Sequence, residues 1–105
     1  MAQFGRFLAI GVLAVMLTAA RTPEVKTVSI DGVKFQPADA TLSVGDTVVW
    51  VNKDPFPHNV TSTDGVFRSK NLDPAQSFRF RATKPGTYSY VCTLHPTMAA
   101  VIHVK

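Results

Sequence analysis

The stretch 85–98, PGTYSYVCTLHPTM, is the most informative part of this 105-residue chain. It begins with a Pro-Gly turn signal and continues as a predicted strand, in which Tyr88, Tyr90 and Cys92 share one side. Alternation with a period of two is typical of a strand that buries one face. When the two tyrosines face a core, the thiol at the end of the strand faces it too.

Short runs rich in Val, Thr, Phe and Tyr recur along the rest of the chain, separated by turn signals such as Asp31-Gly32 and Gly45-Asp46. No segment sustains a helical period. Seven strands are predicted, at 25–30, 40–44, 47–52, 59–62, 77–82, 87–92 and 99–104. So many short strands in one small domain indicate an all-β fold, either a β-sandwich or a barrel.

The composition excludes several classes of protein. With 46% hydrophobic and 17% charged residues, the chain is neither a disordered tail nor a collagen-like fibre, and its length excludes a multi-domain enzyme. The formal charge of +4 is too small and too dispersed to require a nucleic-acid partner. The single cysteine excludes an internal disulfide, so the domain depends on its core or on something bound, such as a metal.

The first twenty residues have the three-part pattern of a secretory signal peptide. Arg6 precedes an apolar run at 8–17, and small residues follow up to Ala20. The run is too short to cross a bilayer, which needs about 20 apolar residues. We therefore expect a signal peptide at 1–20 and a single domain at 21–105. The domain is expected to be exported to the periplasm and to have no membrane span in its mature form.

Cys92, His95 and Met98 follow one another at three-residue intervals, and Pro57-His58 lies upstream. Taken alone, each residue has an ordinary role: a core methionine, a small buried thiol, a surface histidine. Together, two His, one Cys and one Met are the ligand set of a blue-copper centre, in which soft sulfur suits Cu(I) and imidazole suits both oxidation states. The pattern predicts one type 1 copper ion held by His58, Cys92, His95 and Met98.

The same residue types also occur in nucleophilic catalysis and in zinc sites. A thiolate at Cys92 beside His58 or His95 could act as a nucleophile, but a domain this small offers little room for a substrate cleft, and Met98 would have no role. The thioether also favours copper over zinc. His103, on the last predicted strand, is expected to be an ordinary surface residue. We expect a protein that is not an enzyme.

The chain resembles the cupredoxins, and among them the small type 1 copper proteins of the plastocyanin, pseudoazurin and amicyanin group. The resemblance lies in Phe35-Gln36-Pro37, in the stretch 44–52, in Pro57-His58-Asn59-Val60 and in 85–98. The spacing of the ligands, with Pro96 after the second His, is most similar to the short loop of amicyanin, although Leu94 and Thr97 differ from the Pro and Phe of that loop.

The resemblance implies a Greek-key β-sandwich of about seven to eight short strands. It also implies that His58, Cys92 and His95 are equatorial copper ligands and that Met98 is the axial one. Asn59 would link the two ligand-bearing loops and donate its backbone N–H to the Cys92 sulfur. The exposed edge of His95 would be the exit for the electron.

A site with four protein ligands leaves no position for a substrate and suits electron transfer. We expect a monomeric one-electron carrier that cycles between Cu(II) and Cu(I) and meets its redox partners transiently, for example c-type cytochromes or a periplasmic dehydrogenase or reductase. The alternative is a copper storage or delivery protein, and a third possibility is an accessory domain of a larger copper enzyme.

Two surfaces are candidates for docking a partner. The first is an apolar rim around His95, formed by Phe56, Pro57, Leu94 and Pro96. The second is the region 68–84, which has one acid, Asp73, against five basic residues: Arg68, Lys70, Arg79, Arg81 and Lys84. This basic region is either a solvated face or a surface that steers an acidic partner.

Overall fold

The computed structural model describes Gly11 and residues 21–105, so the predicted signal peptide at 1–20 lies, apart from Gly11, outside the described residues. No helix in the described part is long and apolar enough to span a membrane. The described chain forms eight strands: β1 Val25–Ile30, β2 Phe35–Gln36, β3 Asp39–Leu42, β4 Thr47–Asn52, β5 Thr61–Ser62, β6 Ser77–Arg81, β7 Gly86–Cys92 and β8 His95–Val104.

The strands make two four-stranded sheets. One has the order β2-β1-β4-β6 and the other the order β3-β8-β7-β5. β1 is parallel to β4 and β3 is parallel to β8, whereas the other neighbouring strands are antiparallel. The chain therefore crosses between the two sheets several times along its length. The predicted all-β Greek-key sandwich is confirmed.

The core lies between the sheets and is centred on Trp50 of β4. The indole ring lies 5.4 Å from the rings of Phe67 and Tyr90 and 5.7 Å from that of Phe78. Tyr90 and Cys92 are both buried, as the alternation along β7 predicts. Burial raises the pKa of Tyr90 to about 12, so the phenol stays neutral in the core.

Three strands differ most from the predicted ones, while the bounds of β3, β6 and β7 differ by one or two residues. β2 was not predicted because two residues are too few to show a period. The predicted strand at 59–62 is reduced to Thr61–Ser62. β8 begins at His95 instead of Ala99, because a register shift between Val91 and Cys92 lets Cys92 pair with His95. The second half of the segment 92–98, which we call the ligand loop, is therefore part of the sheet.

The loops that carry the candidate ligands gather at one end of the sandwich, which we call the ligand end. β1 and β4 both finish there, since Ile30 is paired with Asn52. The Asn52 side chain donates to the carbonyl of Leu72, and Leu72 exchanges backbone hydrogen bonds with His58. β7 finishes at the same end with Cys92.

A cluster of hydrogen bonds around Asp46 lies at the opposite end of the sandwich, just before β4. The buried Asp46 carboxylate accepts two hydrogen bonds of 3.0 Å from the Arg21 guanidinium. It also accepts the backbone N–H groups of Glu24 and Ser43, each at 2.9 Å. These bonds fasten the segment before β1 and the turn before β4 to one carboxylate, and we call this cluster the Asp46 clip.

Candidate metal centre

Three of the four predicted ligands meet at the ligand end. One ligand atom from each of His58, Cys92 and His95 lies within 4.8 Å of the other two. The Nδ1 atoms of His58 and His95 lie 3.7 and 3.8 Å from the Cys92 Sγ. His58 and Cys92 are fully buried, whereas His95 is half-buried.

The two nitrogen–sulfur distances fit a shared metal ion. At zinc sites metal–sulfur bonds are about 2.3 Å and metal–nitrogen bonds about 2.0 Å, and at an angle of about 120° such bonds separate sulfur from nitrogen by about 3.7 Å. Both observed distances, 3.7 and 3.8 Å, match this value. A thiolate with two imidazoles at this separation is a donor set for copper or zinc, and a thioether as fourth ligand would favour copper.

Met98 is part of the buried core, as Cys92 is, and its side chain is 3% exposed. It lies on β8 next to Ala99, which is paired with Val91 of β7. The register therefore places the methionine backbone beside the strand that ends in the thiol.

The orientation of His58 is set by a carboxylate. Asp54 Oδ2 lies 2.7 Å from the Nε2 atom of His58. A proton on Nε2 is donated to this oxygen, which leaves Nδ1 as the unprotonated atom facing the Cys92 sulfur. An imidazole held in this way has the tautomer and the direction that a metal ligand needs.

Asp54 is itself fixed by the backbone. Its two oxygens accept the N–H groups of Gly32 and Val33 at 2.7 and 2.9 Å. Burial raises the pKa of Asp54, but these N–H groups and the contact with His58 outweigh it, so the pKa lies below its ordinary value. Asp54 is therefore a carboxylate that can attract the Nε2 proton.

Asn59 joins the two ligand-bearing segments, as the resemblance implies. Its backbone N–H points at the Cys92 Sγ at 3.4 Å. Its side-chain oxygen accepts the Thr93 N–H at 3.0 Å, and its side-chain nitrogen donates to the Thr93 hydroxyl at 2.7 Å. Asn59, which follows His58, is thus hydrogen-bonded to Thr93, which follows Cys92.

Sequence reasoning missed Asp54 and Asn52. Asn52 donates from its side chain to the carbonyls of Phe56 and Leu72, and its side-chain oxygen accepts the Asp54 N–H. It therefore shapes the loop that carries both Asp54 and His58. Asn52 ends β4 and Asp54 lies in the loop after it, where a polar residue ordinarily faces solvent. The one signal in the sequence was the four-residue spacing between Asp54 and His58.

His103 is not part of the centre. Its Nε2 atom lies 3.1 Å from the Asp39 carboxylate, and its Nδ1 atom lies 3.2 Å from the Thr87 hydroxyl. It lies near the end of β8, and the metal cluster found among the described residues does not include it. The interpretation of His103 as a surface residue is consistent with this position.

The half-buried His95 is bordered by apolar side chains. The Phe56 ring lies 5.2 Å from the His58 ring and 5.8 Å from the His95 ring, and the two imidazoles are 4.8 Å apart. Phe56 is 38% exposed and Leu94 is 46% exposed. The predicted apolar rim is therefore present at the surface, beside the predicted ligand that is partly open to solvent.

Comparisons with known proteins agree with this geometry. The cupredoxin-like domain family matches residues 6–104. Amicyanin-alpha of Methylorubrum extorquens is 35% identical over 104 residues, which cover 93% of this chain and 85% of that protein. Three amicyanin sequences that it matches are covered over 63% to 85% of their own lengths.

Two solved structures show the same fold. A Cu(I) form of an amicyanin variant is 32% identical with a TM-score of 0.74, and the match covers 83% of this chain and 88% of that chain. A copper-containing nitrite reductase from Thermus scotoductus is also 32% identical with a TM-score of 0.74, but only 23% of its chain is covered. With its two-sheet sandwich, its His-Cys-His cluster at one end and a family match along nearly its whole length, the chain belongs to the cupredoxins.

Proposed function

We propose that this protein is a type 1 copper protein that carries single electrons between redox partners, with His58, Cys92, His95 and Met98 as the copper ligands. The observation that carries the proposal is the meeting of one thiol and two imidazole Nδ1 atoms at 3.7 and 3.8 Å. A bound copper ion supplies the Cu(II)/Cu(I) couple.

The residues around the site favour rapid electron exchange. Cys92 binds as a thiolate, and the Asn59 N–H stabilises the negative charge on its sulfur. Asp54 and Asn59 hold one ligand each from outside the donor set, so the ligands move little between oxidation states. His95 is the one imidazole ligand with an exposed edge, and electrons enter and leave through it.

The same features count against a storage or delivery protein. Release of copper needs ligands that can open, whereas His58 and Cys92 are fully buried and braced by hydrogen bonds. The likeness to nitrite reductase covers 82% of this chain and 23% of that chain, so it supports a shared domain fold and not an enzymatic activity of this protein. A carrier that is not itself an enzyme fits best.

The setting of this function is part of the proposal. The signal-peptide pattern at 1–20 supports export to the periplasm, with 21–105 as the mature, monomeric domain. The redox partners are transient ones such as c-type cytochromes or a periplasmic dehydrogenase or reductase. The exposed apolar rim around His95 supports brief docking of this kind.

The decisive experiment replaces Cys92 by Ser in the copper-loaded protein. The parent is expected to be intensely blue when oxidised, because the thiolate is bonded to Cu(II), and Cys92→Ser is expected to lose that colour and the matching EPR signal. Thr97→Ser, an exposed residue of the same loop, is the matched control and keeps both. A blue Cys92→Ser protein contradicts the proposed site.

A second measurement separates a carrier from a storage protein. Electron self-exchange between oxidised and reduced protein, followed by NMR line broadening, is expected to be fast and to proceed without loss of the metal. Release of copper at each reduction would instead favour delivery of the ion.

A further inference from the structure

We infer that the electron carrier proposed above docks an acidic partner protein on one strip of basic surface beside the ligand loop. The strip consists of Arg68–Asn71 and is called the basic strip. This inference rests on the proposed function and adds the charge and the position of the partner.

The basic strip lies along the segment that carries the first imidazole. The Ser69 N–H donates to the Val60 carbonyl at 2.8 Å, and the Val60 N–H donates to the Ser69 hydroxyl at 2.8 Å. Asn59 donates from its side chain to the Asn71 side-chain oxygen at 3.2 Å. Asn59 therefore connects the strip with the Cys92 sulfur, at which its backbone N–H points.

The charges of the strip face outward. Ser69 is buried, whereas Arg68 and Lys70 on either side of it are exposed. Among the described residues no carboxylate lies within ion-pair distance of either cation. Both charges are therefore available to a partner.

A groove of about 560 Å³ runs between the strip and the ligand loop, where Thr93 and Leu94 form its far wall. A second groove, of about 620 Å³, runs along the other side of the strip toward Phe78. Neither is lined by an acidic residue of the described chain. A surface that presents carboxylates therefore meets no like charge in the walls of the two grooves, and the exposed acid Asp73 lies beyond Leu72, at the edge of the second groove.

The rest of the basic region predicted from the sequence lies farther away. β6 pairs with β4 so that Ser77 is opposite Val51 near the ligand end, while Arg81 is opposite Thr47. Four residues of strand place Arg81 about 13 Å farther from that end than Ser77. Lys84 lies beyond Arg81, before β7 begins. The region 68–84 therefore divides into a strip beside the site and a group of cations along the flank.

The division predicts which charges matter for electron transfer. Carboxylates of a partner that meet Arg68 and Lys70 bring its surface against Leu94 and the exposed edge of His95. In each encounter one electron passes from the reduced protein to the oxidised partner, or in the reverse direction, and no covalent bond forms. Opposite charges at this position raise the association rate, and salt weakens the effect.

The test compares two double variants of the copper-loaded protein that change the net charge equally. Arg68→Glu/Lys70→Glu reverses the strip, and Arg79→Glu/Arg81→Glu reverses two cations on the flank. The probes are an acidic and a basic c-type cytochrome of similar size, mixed with each variant in a stopped-flow instrument. Visible and EPR spectra show first that both variants retain the parent copper site.

With the acidic cytochrome, the rate constant of the strip variant is expected to fall at least about tenfold at low salt, and that of the flank variant less than about threefold. Both differences are expected to vanish near about 0.5 M salt, where screening is nearly complete. With the basic cytochrome, the strip variant is expected to react faster than the parent. Equal rates and equal salt slopes for the two variants, or a parent that prefers the basic cytochrome, would overturn the inference.

A failure of the proposed function looks different. If the protein is not an electron carrier, the parent exchanges electrons slowly with both cytochromes and in self-exchange at every salt concentration. If only the docking inference fails, the parent reacts with both cytochromes and the two variants behave alike.

Discussion

The Asp54 carboxylate both orients His58 and accepts hydrogen bonds from the Gly32 and Val33 N–H groups. A negative charge on the far side of the imidazole strengthens the ring as a donor and favours Cu(II). Asp54→Asn is therefore expected to raise the reduction potential while the blue colour survives. Each tenfold weakening of Cu(II) binding relative to Cu(I) corresponds to about 59 mV, so a rise of this order is expected in cyclic voltammetry.

The control for Asp54→Asn is Asp73→Asn. Asp73 is an exposed acid that follows Leu72 at the ligand end, and its removal takes away one charge without touching a ligand. The reduction potential of Asp73→Asn is expected to shift much less than that of Asp54→Asn. Equal shifts in the two variants would mean that the loss of charge, and not the contact with His58, sets the potential.

Met98 supplies a second test at the scale of one side chain. Met98→Gln exchanges a soft thioether for a harder amide oxygen, which favours Cu(II), so the reduction potential is expected to fall while the blue colour persists. Voltammetry of the purified variant measures the change. An unchanged or higher potential would indicate that Met98 only fills the core.

The predicted ligands can be recognised in the sequence more readily than the residues that hold them in place. Cys92, His95 and Met98 are close in the chain, and their side chains have few other reasons to occur together. Asp54 and Asn52 act through backbone groups of loops whose path depends on the whole fold. Their importance becomes visible only when both sheets are in place.

Among the elements, the Asp46 clip controls how the segment before β1 meets β4. The hydrogen bonds from Arg21, followed by those from the Glu24 and Ser43 N–H groups, hold the pKa of Asp46 well below its usual range, although burial opposes them. Because the folded pKa is depressed, the clip stabilises the protein fully above the unfolded value of about 3.9, and that stability is lost as the pH falls below it.

Asp46→Asn is therefore expected to lower Tm at pH 7 by roughly 5 °C or more, because it removes the charge that binds Arg21. The difference in Tm between parent and variant is expected to shrink as the pH drops from about 5 toward 2. Calorimetry at several pH values measures it. Asp31→Asn, an exposed carboxyl in a turn, is the control, and a constant Tm difference across this pH range would contradict the linkage.

Strands with clear alternation could be predicted closely, and strands held by neighbours could not. β1 and β4 have the predicted bounds, because each buries every second side chain along its inner part. β2 and β5 have two residues each and exist because β1 and β7 offer them hydrogen-bond partners. The early start of β8 depends on a register shift that leaves no trace in the period of the sequence.

At the scale of the whole molecule, residues with different roles lie in different parts of the sandwich. Buried ligands and their hydrogen bonds occupy the ligand end, and the exposed His95 edge and the basic strip lie beside them. The Asp46 clip lies at the opposite end, where β4 begins. Substitutions in the basic strip are therefore expected to leave the clip undisturbed, since no hydrogen bond among the described residues joins the two sets.

The position of β8 between β3 and β7 determines when the sheet and the ligand pocket can be completed. β8 is the last strand of the described chain, yet it lies inside its sheet, so neither β3 nor β7 has its full set of partners before β8 arrives. The Cys92–His95 pairing forms in the same step. If the domain is exported as proposed, the ligand pocket is expected to be complete only after β8 has crossed the membrane, and the metal is expected to be acquired in the compartment in which the domain finishes folding.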